Sequence, residues 1–363
     1  MKFFETLNLQ LFAESGSVVN TTTGTANAHT GATTTTNALS VTMKAYYDTE
    51  LLENARTERV YAQFGKTQPL PRNNGKSVEW RKPNTFKKAE KLVEGVIPNG
   101  QTYGMTSISA SIDEYGTFAA VSDVLEYTAY DNVILNCTEE MGASAARSQE
   151  ELIRDSLLVN NNVFYCDNIN IADGKFVSTP NSPNQMEASE TTMSVLTPRM
   201  IAMIVTEMKK DKVPTINGKY AAVIHPSVAF MLREDPAWIE AHKYAATDEI
   251  FNGEIGTLHN VRFVENADAP VLRGDYANKL GTSTYATYFF GKDGFGIIDL
   301  EGGALEMLVK DKSEVGGPLE QYSTIGYKFF SAGSTILYPE RIVRAMSCST
   351  YSDVDDANNV EEE

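Results

Sequence analysis

Four histidines, three cysteines and a few glycine-bearing motifs are the places where this sequence could do chemistry, and spacing tests each of them. His225 precedes Pro226 at the end of an expected strand, a position from which an imidazole can act as a general base. A hydrolase using His225 with a nearby acid is the enzyme these residues permit, and a turn histidine is the plainer alternative. His29 lies in a Thr/Ala/Asn tract and His242 on an expected helix surface. No His-x-x-x-His or His-Glu-x-x-His arrangement places two imidazoles on one metal, so catalytic zinc is not encoded. Gly65-Lys66-Thr67 ends like a phosphate loop, but Val60 stands where the loop needs a glycine. Gly142-Ala143-Ser144-Ala145-Ala146 echoes a nucleophile elbow inside what reads as a long helix, where small residues serve close packing instead. Gly291 to Gly296 lacks dinucleotide-binding spacing and reads as a turn. Cys137, Cys166 and Cys348 are odd in number and far apart, which argues against a disulfide framework or a cysteine metal site and for a reducing compartment. No catalytic residue, cofactor or metal is expected.

The elements that would have to position such groups point elsewhere. The 363 residues are 42% hydrophobic, enough for a sizeable core in two lobes or one elaborated domain. No apolar run approaches the roughly 20 residues that cross a bilayer. The start has no secretory pattern, and synthesis in the cytoplasm is the expectation. Ser17 to Thr42 has almost no large apolar side chain and reads as a flexible arm, 1–45. Leu51, Ala55, Val60 and Phe64 recur at near-helical spacing, predicting an amphipathic helix within 46–69 that Gly65 can end. Lys76 to Lys82 and Ser107 to Ile112 alternate with period two around Pro98-Asn99-Gly100, a two-stranded excursion within 70–120. Such a polar ribbon is marginal in water unless something else covers it.

After Asp131 comes the longest helical pattern, with Ile134, Cys137, Met141, Ala145, Leu152 and Leu157 on one face. A helix of about 27 residues is roughly 40 Å long, a spine for the region 121–196. Thr197-Pro198 then caps a helix, opening an α+β lobe over 197–310 with strands and short helices in alternation. Strands at Ile325 to Ser331 and Ile342 to Met346 return toward the spine within 311–350, before an acidic, unpatterned tail, 351–363.

Charge is distributed unevenly. Forty-eight acidic and 31 basic side chains give a net charge of −17, which repels phosphate and argues against sequence-specific DNA binding. Yet Gly65 to Gly100 carries eight lysines and arginines against three glutamates, and Asp113 to Asp155 carries ten acids against Arg147 and Arg154. A basic ribbon and an acidic spine are complementary between copies, the pattern of head-to-tail self-association. Solvated charged faces are the alternative.

The order of parts resembles the major capsid proteins of tailed bacteriophages with the Hong Kong 97-type fold, within them the subfamily typified by a short-tailed coliphage capsid protein. The residues that carry the resemblance are Asn8 to Ala13, Leu92 to Pro98, Tyr115 to Phe118 before Ser122-Asp123, Asn252 to Gly256 before Val261 to Glu265, Phe290 to Asp293, and Gly316 to Gln321 before Gly326-Tyr327-Lys328. The resemblance runs from about Tyr46 to Met346 and implies an α+β fold with an N-arm, an E-loop over 70–120, a P-domain with the spine helix and an A-domain over 197–310. It further implies E-loop contacts on a neighbour through Val78, Trp80, Arg81, Lys82, Lys87, Lys88, Lys91 and Glu94, with Glu139, Glu140, Glu150 and Glu151 of the spine as partners. Hexamers and pentamers would close into an icosahedral head in the virion around double-stranded DNA held by non-specific proximity. A separate scaffolding protein, a portal and a decoration protein are implied partners, and no membrane is. The rival within the fold is an encapsulin-like nanocompartment shell, against which the Leu7 to Ala13 opening speaks.

Overall fold

Strands without a polar face need cover on both sides, and two segments have that composition: every residue of Tyr220–Ile224 and of Thr284–Phe290 is buried. They pair antiparallel at the centre of the molecule. The computed structural model describes residues 59–73, 75–84, 86–89, 91, 100–128, 133–243, 254–273, 282–301, 305–315, 321–352 and 355. The expected arm 1–45, the start of the expected helix within 46–69, the far end of the ribbon with Glu94, and the last eight residues of the tail lie outside the described residues.

A 3-10 turn at Tyr61–Phe64 leads into β1 (Lys66–Leu70), so the part of 46–69 that is described ends as strand and not as helix. β2 (Ser77–Pro83) and β3 (Met105–Ser111) form the antiparallel ribbon, in register from Ser77 opposite Ser111 to Pro83 opposite Met105. β4 (Asp113–Ser122) follows at once, then a short helix α1 (Asp123–Thr128) and the long helix α2 (Val133–Leu157). The stretch beyond folds into β5 (Val163–Tyr165), β6 (Asn168–Asn170), β7 (Phe176–Ser178) and β8 (Thr192–Ser194), with a 3-10 turn at Pro183–Gln185 between the last two. α3 (Pro198–Lys210), β9 (Tyr220–Ile224), α4 (Pro226–Glu234) and α5 (Pro236–Lys243) alternate as their sequence periods predict. β10 (Glu254–Leu258), β11 (Val261–Glu265), β12 (Val271–Leu272), β13 (Thr284–Phe290) and β14 (Phe295–Leu300) come next. The chain then forms β15 (Glu306–Lys310), α6 (Lys312–Val315), β16 (Tyr322–Ser331), β17 (Thr335–Ile336) and β18 (Ile342–Ser347).

The main sheet runs β10-β11-β9-β13-β18-β5, with β12 beside β13. Side chains alternate between its faces, which divides the core in two. On one face Ala222, Ile224, Phe263 and Phe289 meet Ile201, Ile204, Val205 and Met208 of α3 and Val228 and Leu232 of α4. On the other, Ala221, Val223, Tyr288 and Phe290 meet Tyr61, Phe64 and the last turns of α2 at Ile153 and Leu157. The first half of α2 leaves this sheet and packs through Ile134, Cys137, Met141 and Ala145 on a second sheet, β15-β16-β4. Gly142, Ala145 and Ala146 are buried where the helix comes closest, and Ser144 and Ser148 lie within hydrogen-bond reach of the Tyr327 hydroxyl at 3.1 and 3.3 Å. The elbow-like serine is therefore a packing residue.

β4 pairs along its whole length with β16, from Asp113 opposite Ser331 to Ser122 opposite Tyr322. It belongs to the body, and the paired ribbon ends at Ser111, short of the expected boundary at 120. The α3 helix starts as the sequence predicts: Thr197 accepts the Met200 amide at 3.2 Å and Pro198 occupies the first position. Thr197→Ala is expected to cost about 1 kcal/mol in chemical denaturation, since one N-terminal amide loses its acceptor.

Candidate assembly surfaces

The basic residues of the ribbon fall into two groups with different surroundings. At its root, β2 turns Val78 and Trp80 inward, 9% and 8% exposed, against Leu70, Ile112, Ile298 and Leu337 of the same chain. Where the sequence expectation set Val78 and Trp80 against a neighbour, the structure has both side chains seating the ribbon on its own body. Lys82 is likewise engaged at home, with its Nζ 3.3 Å from Glu340 and 4.2 Å from the centre of the Tyr338 ring. Arg341 lies over the same ring at 3.7 Å, so two cations share one aromatic face system. Arg81 is exposed and only loosely paired, 3.8 Å from Glu79.

Further out the ribbon has little to lean on. Lys87, Lys88 and Lys91 are exposed, and none forms an ion pair with a described residue. Beside them Phe86, Tyr103 and Met105 are each more than half exposed, with the Phe86 and Tyr103 rings 6.0 Å apart. Beyond the ends of the two strands Gln101 ties the two segments together, accepting the Lys87 amide at 2.7 Å and donating to the Lys87 carbonyl at 3.2 Å. This apolar and basic surface is what the sequence period could not reveal, because a two-residue alternation gives both faces of an isolated ribbon equal standing. The signal that was available is the presence of three large apolar side chains in an otherwise polar ribbon.

The acids of α2 also separate. Glu139 and Glu140 are exposed, and Glu151 is half-buried on a groove of 290 Å³ that it shares with Asp155 and the rings of Tyr115, Tyr327 and Phe329. Glu150 is different: it is 1% exposed, and its Oε1 accepts the Val60 and Tyr61 amides at 2.7 and 2.6 Å. Where the sequence expectation set Glu150 against a neighbour, the structure has its carboxyl group binding the start of its own chain's described segment. Helical periodicity places Glu150 one step from Glu151 and gives no sign that one is core and the other surface.

No protein-family model matches the sequence, and no curated protein does. Solved structures do. The capsid of Ralstonia phage GP4 superposes with a TM-score of 0.57 at 13% identity, over 83% of this chain and 93% of that one. The capsid of cyanophage P-SCSP1u gives 0.56 at 13% identity, over 81% and 89%. The acid-stable capsid of Helicobacter pylori bacteriophage KHP30 gives 0.52 at 10% identity, over 78% and 87%. The chain has the Hong Kong 97-type fold.

Within this Hong Kong 97-type chain the one histidine that sequence offered for catalysis is a helix cap. His225 Nδ1 accepts the Ser227 amide at 3.2 Å at the start of α4. Burial pushes the imidazole below its ordinary pKa, with Asp355, Glu265 and a hydrogen bond to the Ala267 backbone acting against that. Its ring lies 4.8 Å from Tyr285. His259 is a turn residue, with Asn260 forming the two-residue, left-handed connection of the β10-β11 hairpin. Among the described residues no three His, Cys, Asp or Glu side chains converge as a metal site requires, and no helix is long and apolar enough to cross a membrane.

Proposed function

We propose that this chain is a major capsid protein, a structural and non-enzymatic subunit that assembles through hexamers and pentamers into the icosahedral head of a tailed bacteriophage. The observation that carries this reading is the match of the fold to phage capsid structures over about four-fifths of the chain. The ribbon adds a physical reason. It exposes Phe86, Tyr103 and Met105 beside lysines that form no ion pair among the described residues, a surface that gains by burial on another molecule.

In this reading the ribbon is the E-loop, α2 the spine of the P-domain, and the main sheet with α3 and α4 the A-domain that meets its copies at the symmetry axes. Lys87, Lys88 and Lys91 reach the exposed Glu139 and Glu140 and the Glu151 groove of the adjoining subunit, while Glu94 lies in the same outer segment. The subfamily is that of the short-tailed coliphage capsid protein. Scaffolding, portal and decoration proteins are separate partners, synthesis is in the bacterial host cytoplasm, and the packaged double-stranded DNA is held by proximity. A net charge of −17 suits an inner wall along which DNA can move.

Electron microscopy of the purified chain, expressed alone and with its scaffold, tests the role: closed shells are the expected result. A species that stays monomeric at every concentration and salt overturns it. Replacing Lys87, Lys88 and Lys91 together by glutamate is expected to reduce particle yield at least tenfold while the thermal midpoint of the free subunit stays within a few degrees of wild type. Substitutions at Lys82 are unsuitable for this purpose, because they also break its contacts with Glu340 and Tyr338. Unchanged yield from the triple variant would remove the lysines from the contact.

A further inference from the structure

The segment after β18 reads in sequence as the beginning of a loose acidic tail, yet it is bound across the body. Ser349 Oγ donates to the Ser227 carbonyl at 2.7 Å, and the Tyr351 ring lies 5.1 Å from Phe230 of α4. Asp355 then enters the angle between the first turn of α4 and the start of β13. Its Oδ2 accepts from the Tyr285 hydroxyl at 2.5 Å and the Ser227 hydroxyl at 2.8 Å. Its Oδ1 accepts from Ser352 at 2.6 Å, and its carbonyl from Ser283 at 2.7 Å.

Three of these donors belong to the body and are buried there: Tyr285 is fully buried, Ser283 is 1% exposed and Ser227 5%. A buried hydroxyl without an acceptor is costly, and with the segment in place two of these, from Ser227 and Tyr285, meet on one carboxylate oxygen while Ser283 meets the backbone carbonyl of the same residue. The amide end of α4 adds positive potential that favours an anion over a neutral oxygen. A carboxylate satisfies both demands. Besides the buried Ser349–Ser227 bond, the Tyr285 hydroxyl lies 3.1 Å from the Ser352 carbonyl, and the described part of the segment adds no strand to the sheet.

We infer that Ser227 and Tyr285 form a carboxylate receptor at the head of α4, with Ser283 holding the adjoining backbone carbonyl, and that its ligand is the chain's own segment after β18, fastened through Asp355 as a detachable strap. Its release opens the receptor without disturbing the sheet beneath. The inference is independent of the capsid reading.

Hydrogen exchange on the full-length Asp355→Ala chain tests it. Amides of residues 349–355 are expected to exchange at least tenfold faster than in the wild type, while β13 and β18 keep their protection. Asp355→Asn, which keeps the shape and loses the charge, is expected to fall between. A fluorescein-labelled peptide of residues 349–363 is expected to bind the Asp355→Ala chain at least tenfold more tightly than the wild-type chain, whose receptor is filled. The same peptide carrying Asp355→Ala is expected to bind neither. Unchanged exchange in the tail, or equal binding of the two peptides, overturns the inference.

Discussion

Replacing Trp80 by alanine is expected to destabilise the subunit by about 3–5 kcal/mol, the cost of emptying a large aromatic site in a packed core. The indole is 8% exposed and closes a cluster made by Leu70, Val78, Ile112, Ile298 and Leu337. It rests on Gly296 so closely that a Cβ there would come within 2.8 Å of its Cζ2. The strand bearing Gly296 pairs in parallel with β1, so one side chain joins the ribbon to two further strands. Losing it also loosens the ribbon root, leaving the Lys76–Asp113 and Lys82–Glu340 ion pairs as polar ties. Urea denaturation reads the stability, and hydrogen exchange over β2 and β3 reads the attachment. A variant within about 1 kcal/mol of wild type, the range of an ordinary substitution, would show that the ribbon is seated some other way. Gly296→Val is expected to act in the same direction, by steric displacement of the ring instead of its removal.

The second large effect is on pH dependence. Burial raises the Glu150 carboxyl from 4.5 to about 7, against the opposing pull of the Tyr61 and Val60 amides; Asp268 adds to the rise and Arg59 reduces it. Its Oε2 has no hydrogen-bond partner among the described residues. In the unfolded chain this carboxyl ionises near its ordinary value, whereas the folded chain keeps the proton until about pH 7. Stability from this group is therefore complete below pH 4.5 and is lost as pH rises through 7. At about 1.4 kcal/mol for each pH unit between the two values, the loss is about 3 kcal/mol. Glu150→Gln retains an acceptor for both amides and removes the ionisation. The variant is expected to gain about 3 kcal/mol on wild type between pH 4.5 and pH 8 in paired urea titrations. Two parallel stability curves would show that Glu150 is not the group responsible.

Much of the architecture was legible because it rests on local rules. α2 spans 25 residues where the apolar period ran uninterrupted, and α3 begins at the Thr197-Pro198 cap. The paired alternations of the ribbon appear as β2 and β3, and the apolar runs of β9, β13 and β18 lie together in the main sheet. The strands at 163–194 escaped notice because three-residue strands are too short to show a period, and Lys66–Leu70 because Pro69 and exposed polar residues hide a strand formed only by pairing with β14.

The sequence by itself determined the order of the elements, the basic ribbon ahead of an acidic helix, and the absence of a recognisable catalytic motif, since each of these is a property of neighbours along the chain. Only the tertiary structure decided which charged residues are free to meet another molecule. Trp80, Lys82, Glu150 and Asp355 belong to polar or apolar stretches like those around them, and each is claimed by a partner between 70 and 258 positions away. Burial and hydrogen bonding are settled by what packs opposite, and a residue's own neighbours in the chain carry no record of that.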